Sequence, residues 1–288
     1  MTDPFVTHRS LLFTVAYELL GSVADAEDVV QETWLRWADA DQSGVHDPRA
    51  YLVRIVTRQA LNRIRTLARR REDYVGEWLP EPLLTTPDVA EDALLAESVS
   101  MAMLTVLEML TPTERAVFVL REVVDLPYDE IAATLDKTAA AVRQVAHRAR
   151  EHVAARRPRM TVDRSEQQRV VERFLAALTS GDVQGLMEVL APDVVVVADG
   201  GGLVAAARHP VVGADKVVAF LSKLSTLAPA AVVDTLWLNG ALGGRIVLDG
   251  ELNTVISFVV EGGRISRLYA VRNPHKLSRL KEEAPLAR

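Results

Sequence analysis

The segment from Pro127 to His152 places the tightest constraint on what this chain can fold into. Ile131, Ala132 and Leu135 mark the inner face of a short helix beginning near Asp129. Asp136-Lys137 then reads as a tight turn. Thr138 reads as the N-cap of a second helix, because its hydroxyl can accept from a free first-turn amide. In that second helix Val142, Ala146, Ala149 and Val153 recur at spacings of four, three and four, which makes one apolar face. Arg143, Gln144, His147 and Arg148 therefore point outward. A second helix with small buried residues and a polar N-terminal half can dock in the major groove of DNA. Arg and Gln suit that place because their paired hydrogen-bonding groups match base edges. Arg148, Arg150, Arg156 and Arg157 suit phosphates, which add affinity without sequence information. Two packed helices with a solvated basic face would show the same spacing, so the pattern alone leaves both readings open.

The 288 residues allow two or three domains. Leu11, Leu12, Val15, Ala16 and Leu19 predict a first helix that stops at Gly21, and Ser22 opens a second through about Ala38. Asp47-Pro48, a carboxylate cap before an N1 proline, starts a third helix running into Arg69-Arg70-Arg71. Pro80, Pro82 and Pro87 among acids predict an extended linker. One amphipathic helix is expected from Leu94 to Leu110, and Thr111-Pro112-Thr113-Glu114 predicts a capping box for the next. Beyond a polar stretch ending near Ser165 the rhythm changes. Helices are expected at Glu166–Thr179, Asp182–Leu190 and Ala214–Leu224, with strands at Val194–Val197, Val232–Leu238, Arg245–Leu248, Thr254–Val260 and Arg264–Val271. Gly243-Gly244 and Gly262-Gly263 read as turns of a meandering antiparallel sheet. The first half is all helix and the second α+β.

The net charge of −6 conceals strong local asymmetry. Residues 48–71 hold eight arginines and no acid, residues 73–97 hold seven acids and no Lys or Arg, and residues 137–159 hold seven basic residues against Glu151. Two basic stretches can present positive surface on a chain that is acidic overall. With no cysteine, disulfides and thiolate metal sites are excluded, and no metal-ligand spacing appears. No cofactor is expected. The opening Met1-Thr2-Asp3-Pro4 lacks a signal-peptide pattern and the longest apolar run, Val194–Ala198, is too short to span a bilayer, so a cytoplasmic location without membrane contact is expected.

Tyr128-Asp129-Glu130-Ile131-Ala132, followed by Val142-Arg143-Gln144-Val145-Ala146-His147-Arg148-Ala149-Arg150, resembles region 4 of extracytoplasmic-function (ECF) sigma factors. Asp25-Ala26-Glu27-Asp28-Val29-Val30-Gln31-Glu32-Thr33-Trp34-Leu35-Arg36 resembles their region 2 helix. The resemblance covers about residues 5–157. It implies a factor that takes RNA polymerase to promoters. Region 4 would read the −35 element through Thr138, Arg143, Gln144, His147, Arg148 and Arg150. The basic helix of region 2 would hold the opened −10 element through Arg54, Arg58, Asn62 and Arg65, a surface suited to a single strand. The acidic helix, through Asp25, Asp28, Gln31, Glu32 and Trp34, would dock on the clamp helices of the polymerase's largest subunit.

The chain continues for about 130 residues past region 4. Phe174-Leu175-Ala176-Ala177-Leu178, Gly181-Asp182 and Leu190-Ala191-Pro192-Asp193-Val194 resemble the SnoaL-like polyketide-cyclase family, a cone of curved sheet and helices around a pocket. Trp78-Leu79-Pro80-Glu81-Pro82, Asp199-Gly200-Gly201-Gly202 and Asn273-Pro274-His275-Lys276-Leu277 look like the motifs of the ECF group that carries such an extension. In that group the extension is thought to regulate the sigma domains in place of a separate anti-sigma factor. Leu203 stands where a lysine is usual and His275 where an acid is usual. The expected architecture is multidomain: region 2 at 1–72, a linker at 73–88, region 4 at 89–158, a linker at 159–164, and a SnoaL-like α+β cone at 165–288. Asp199, His209 and Asp234 could supply acid–base chemistry only if they converged, and no catalytic residue is assigned. A small-molecule ligand of the cone, a stand-alone ligand-responsive DNA-binding regulator, and a cyclase or isomerase with an accessory helical domain are the competing expectations.

Overall fold

The computed structural model describes residues 3–156, 163–227, 230–280 and 282–288, without the side chains of 68–72 and 224–227. Arg157 and residues 159–162 of the expected second linker lie outside the described residues. The chain forms two compact units. The first comprises Met1–Glu72, Asp88–Arg157 and Ala284–Arg288, and the second Asp73–Pro87 and Pro158–Glu283.

In the first unit, α1 (Pro4–Leu20) starts on Asp3, whose carboxylate accepts from Phe5 N, and ends at Gly21 in the left-handed region at φ 64°. Only glycine enters that region without a Cβ penalty. Ser22 caps α2 (Val23–Ala38) by accepting from Asp25 N, and Asp47 accepts from Ala50 N at the start of α3 (Pro48–Glu72). Leu12, Val15, Ala16, Tyr17 and Leu19 of α1 are fully buried and meet Trp37, Leu52, Val53 and Val56 of this three-helix block.

The second helical block holds α4 (Pro87–Glu91), α5 (Ala93–Ser98), α6 (Met101–Leu107), α7 (Pro112–Phe118), a π-helical turn (Val119–Val123), α8 (Tyr128–Leu135) and α9 (Ala139–Ala154). The single helix expected from Leu94 to Leu110 is broken at Val99-Ser100. Ser100 leaves helical geometry and its hydroxyl accepts from Met103 N, a local cap that competes with helix continuation. The capping box at Thr111 and Glu114 forms with both of its bonds. Asp136 closes α8 at φ 52°, and Thr138 caps α9 by accepting from Ala141 N. Val142, Ala146, Ala149 and Val153 are all buried, as their spacing requires.

The second unit contains α10 (Arg164–Ser180), α11 (Val183–Val189), β1 (Leu190–Asp199), β2 (Val211–Val212), α12 (Ala214–Leu227), β3 (Val232–Leu238), β4 (Ala241–Leu248), β5 (Glu251–Glu261), β6 (Arg264–Val271) and α13 (Pro274–Leu277). The sheet order is β2-β1-β6-β5-β4-β3. It is mixed rather than a pure antiparallel meander, because β1 pairs with β6 in parallel. Gly243-Gly244 is not a turn. Both residues lie inside β4, and the hairpin turn is Asn239-Gly240, at φ 51° and 75°. A Cβ at Gly244 would come within 2.8 Å of Leu175 on α10, marking close helix–sheet approach, and one at Gly243 would come within 2.8 Å of Ile256 O and Leu238 in the neighbouring strands. The three helices cover the sheet through Phe174, Leu178, Leu186, Val217 and Leu221, packed on Phe258, Ile265 and Leu268. Phe174 and Phe258 meet edge to face at 5.3 Å.

Candidate nucleic-acid interface and linker clamp

Because its apolar face is occupied by the block's core, α9 exposes Arg143, Gln144, His147 and Arg148 together. His147 lies 3.7 Å from Glu151, both well exposed. The Thr138 hydroxyl caps the helix that presents these residues. Arg150 turns back into its own block, donating to Glu122 at 3.2 Å and the Tyr128 hydroxyl at 3.3 Å. Those two partners, Tyr128 foremost, hold its guanidinium above its usual pKa.

On α3, Arg54 is exposed and lies over the Tyr51 ring at 5.6 Å, while Asn62 accepts from Arg65 one turn away. Arg58 reaches the end of α8. Its Nε donates to Thr134 O at 2.9 Å, and one Nη donates to Ala133 O and pairs with Asp136. A guanidinium there satisfies helix-end carbonyls and the negative end of the helix dipole. Arg49 likewise donates to Val124 O, so the two helical blocks of the first unit are tied through the basic helix.

The acids of α2 are also engaged. Arg63 bridges Asp25 at 2.6 Å and Asp28 at 2.9 Å, Gln59 donates to Glu32, and Arg9 pairs with Glu27. Asp25 holds Arg63 above the usual arginine pKa. Each such partly exposed pair contributes about 0.2–1 kcal/mol, little enough to exchange for a partner's contacts. Gln31 is exposed, and Trp34 is 37% exposed with its ring 5.2 Å from that of Phe5, whereas Trp37 is buried. Sequence reading missed Arg63 and Arg9 as partners. Nothing in their spacing sets them apart from the other arginines.

In the second unit, Asp73–Pro87 packs against the sheet domain. Asp199, at the end of β1, is fully buried and its carboxylate accepts four donors. These are the Tyr74 hydroxyl at 2.6 Å, Gly201 N at 3.0 Å, Leu79 N at 3.0 Å and Lys276 Nζ at 2.7 Å. Lys276 on α13 is itself buried. It also donates to Leu79 O and lies 4.3 Å above the Trp78 ring and 5.2 Å from that of Tyr74. Asn273 caps α13 by accepting from His275 N, and its amide donates to the Tyr74 hydroxyl. A Cβ at Gly201 would sit 2.3 Å from that amide, and φ there is 62°, so the motif requires glycine. Burial first, and then the Asp199 carboxylate, push the Tyr74 hydroxyl well above its usual pKa, so it stays a donor. Pro80, Pro82, Gly200 and Leu277 are buried, Glu81 is half-buried and Pro274 is exposed. The motif residues Trp78, Leu79, Asp199, Gly201, Asn273 and Lys276 thus meet in one clamp. Tyr74 belongs to it as well and was not foreseen. Leu203 and His275, the two departures, are exposed.

The possible acid–base group does not assemble. Asp199 is committed to the clamp, Asp234 pairs with Arg245 on the sheet edge, and His209 is an exposed loop residue. Apolar side chains of α10, α11, α12 and the sheet form a core between helices and sheet, and an open groove of about 450 Å³ lies along α10 and β3. Among the described residues no cluster could hold a metal ion, and no helix is long and apolar enough to cross a membrane.

Two helical blocks, one with a helix-turn-helix and one with an arginine-rich helix beside an acidic one, define a sigma-type transcription factor. Residues 5–70 match the Sigma-70 region 2 family and residues 100–153 match Sigma-70 region 4. The chain is 38% identical to the ECF RNA polymerase sigma factor SigJ of Mycobacterium tuberculosis (strain ATCC 25618 / H37Rv), over 95% of this chain and 92% of that one. The crystal structure of M. tuberculosis SigJ superposes with a TM-score of 0.79 at 35% identity, covering 96% of this chain and 99% of that one. The RNA polymerase sigma-E factor of Streptomyces coelicolor is 32% identical, over 52% of this chain and 84% of that one. The chain belongs to the ECF RNA polymerase sigma factors and carries a C-terminal α+β unit beyond region 4, within the length that the SigJ structure also spans. It is a DNA-binding initiation factor that works with core RNA polymerase, and the regulator and cyclase readings have no such support.

Proposed function

We propose that the C-terminal unit governs this sigma factor by gripping the segment between regions 2 and 4, thereby setting the separation at which the two promoter-reading blocks operate. The observation that carries this reading is the buried carboxylate of Asp199, on which Tyr74, Leu79 and Lys276 converge. A buried charge stays ionised only when paired and hydrogen-bonded, so the cone and the linker complete each other's site. The control acts in cis, in the cytoplasm, without a separate anti-sigma factor.

In the active complex, Arg143, Gln144 and His147 meet −35 bases, while Thr138, Arg148 and Arg150 meet the backbone. Arg54, Asn62 and Arg65 hold the opened −10 strand, joined by Arg58 once it leaves the end of α8. Asp25, Asp28, Gln31, Glu32 and Trp34 meet the clamp helices of the polymerase's largest subunit. The exposure of α9 and the weak, exchangeable pairs on α2 support these roles.

The test is run-off transcription with core RNA polymerase, comparing the full chain with Lys276→Met. Altered promoter output at unchanged core affinity is expected. Identical output from both proteins would refute control through the linker.

A further inference from the structure

Beyond Pro82 the linker makes a second set of contacts that none of the sequence motifs includes. Asn239 N donates to Leu83 O at 3.0 Å, and Leu83 N donates to the Asn239 side-chain oxygen at 3.0 Å. Thr85 N donates to Trp237 O at 3.1 Å, and Gly240 N donates to the Thr85 hydroxyl at 3.1 Å. Leu84 pairs with Leu238 in an antiparallel bridge. The linker thus adds a short strand to β3, the edge of the sheet. Strand addition draws affinity from backbone bonds and specificity from side chains, and here the side chains are Asn239 and Thr85.

Asn-Gly at a two-residue hairpin needs no linker to explain it, because both residues adopt positive φ readily. Burial separates the two explanations. A turn asparagine at a hairpin tip is ordinarily solvated, yet Asn239 is 1% exposed and Thr85 is 2% exposed, each directed at the other segment.

We infer that Asn239 and Thr85 are positioning residues that fix the register of the linker's exit end, and so narrow the range of promoter spacer lengths the protein accepts. This rests on the reading that the captured linker sets the separation of the two blocks. The Asp199 clamp grips Tyr74 and Leu79, just after α3 ends, and the second clamp grips Leu83 to Thr85, just before α4 begins. With both closed the segment is a fixed spacer. With only the second released, residues 83–86 are freed and can reach at most roughly 13 Å at about 3.3 Å each. One base pair changes the separation of two DNA elements by about 3.4 Å and turns the far element by a tenth of a helical turn. A freed tether of that reach takes a range of end-to-end distances wider than the step of one base pair.

The test uses the full chain with core RNA polymerase on a promoter selected in vitro by the wild type, its spacer varied one base pair at a time. Asn239→Gly keeps the positive φ while removing the acceptor, and Thr85→Val removes the hydroxyl at constant shape. The double variant is expected to exchange its Leu83 and Thr85 amide protons at least tenfold faster. Its output at spacers one or two base pairs off the optimum should rise at least threefold relative to the optimum. Thr85→Ser with Asn239 intact, which keeps the hydroxyl that Gly240 N reaches, should keep the wild-type profile, a retention that a purely structural loss would not show. An unchanged spacer profile in the double variant, with a changed profile in Lys276→Met, overturns the inference and leaves the Asp199 reading intact. Unchanged profiles in both overturn the two together.

Discussion

Replacing Lys276 with Met keeps the length and apolar body of the side chain but removes the only ammonium paired with Asp199 among the described residues. Asp199 is fully buried and Lys276 nearly so, so neither charge has water to fall back on. Breaking a buried pair by removing one partner costs about 3–5 kcal/mol, because the remaining charge is left uncompensated. Tyr74, Leu79 N and Gly201 N remain as donors, which holds the expected loss near the lower end, about 3 kcal/mol. Hydrogen exchange at the Leu79 amide reports it directly, since that proton is donated to Asp199. At about 1.4 kcal/mol per tenfold, exchange should quicken on the order of a hundredfold. Lys276→Met combined with Asp199→Asn removes the orphaned charge and should recover at least half of the loss. Leu79 exchange within threefold of wild type in the single variant would refute the argument that this pair secures the linker.

Glu18 supplies a pH dependence in the helical unit. Its side chain is fully buried, with the Ser98 hydroxyl and the Arg115 charge near the carboxylate, while Arg115 donates to its backbone carbonyl. Burial raises its pKa to about 7, with Ser98 and Arg115 offsetting that only in part. The folded value lies above the ordinary glutamate value of 4.5, so the stabilisation is complete below about pH 4.5 and is lost as pH rises to about 7. Urea unfolding should show a decline of about 3 kcal/mol over that range, absent in Glu18→Gln; parallel curves would contradict it. Asp136→Asn keeps the left-handed cap and removes one exposed partner of Arg58, so unfolding should change by less than about 0.5 kcal/mol. A loss above 1 kcal/mol would mean the contact is far better shielded than it looks. In promoter binding, Arg143→Ala should relax base preference at one −35 position by about 1–3 kcal/mol. Arg148→Ala should instead lower the salt slope by about 1 across all sequences. The reverse pattern would exchange their roles.

The local signals were legible where neighbouring residues determine structure. Gly21, Thr111 with Glu114, and Thr138 mark helix ends by their own chemistry, and the spacing of Val142, Ala146, Ala149 and Val153 sets the buried face of α9. Non-local pairing was not legible. Nothing near Val194 says that β1 runs parallel to β6, and Gly243-Gly244 reads as a turn until Leu175 is seen to need the space. The motif residues of the first clamp could be named from resemblance, but Tyr74 could not. The second clamp left only Asn239-Gly240 as a trace, because its remaining contacts are mostly backbone groups that any sequence supplies. The internal partners of Arg58, expected at the −10 strand, and of Arg63, left unassigned, were not legible, since the carbonyls and acids they meet are distant in the chain or on another helix.

If the proposed grip of the C-terminal unit on residues 73–87 controls the separation of regions 2 and 4, releasing it must change the distance between them. The chain has no cysteine, so Ala38→Cys in region 2 and Ala140→Cys in region 4, both exposed, accept a spin-label pair without background. The most direct measurement is the label–label distance distribution of the full chain with and without Lys276→Met. One narrow distribution is expected with Lys276 present, and a broader one weighted to longer distances in the variant. Superimposable distributions would contradict it.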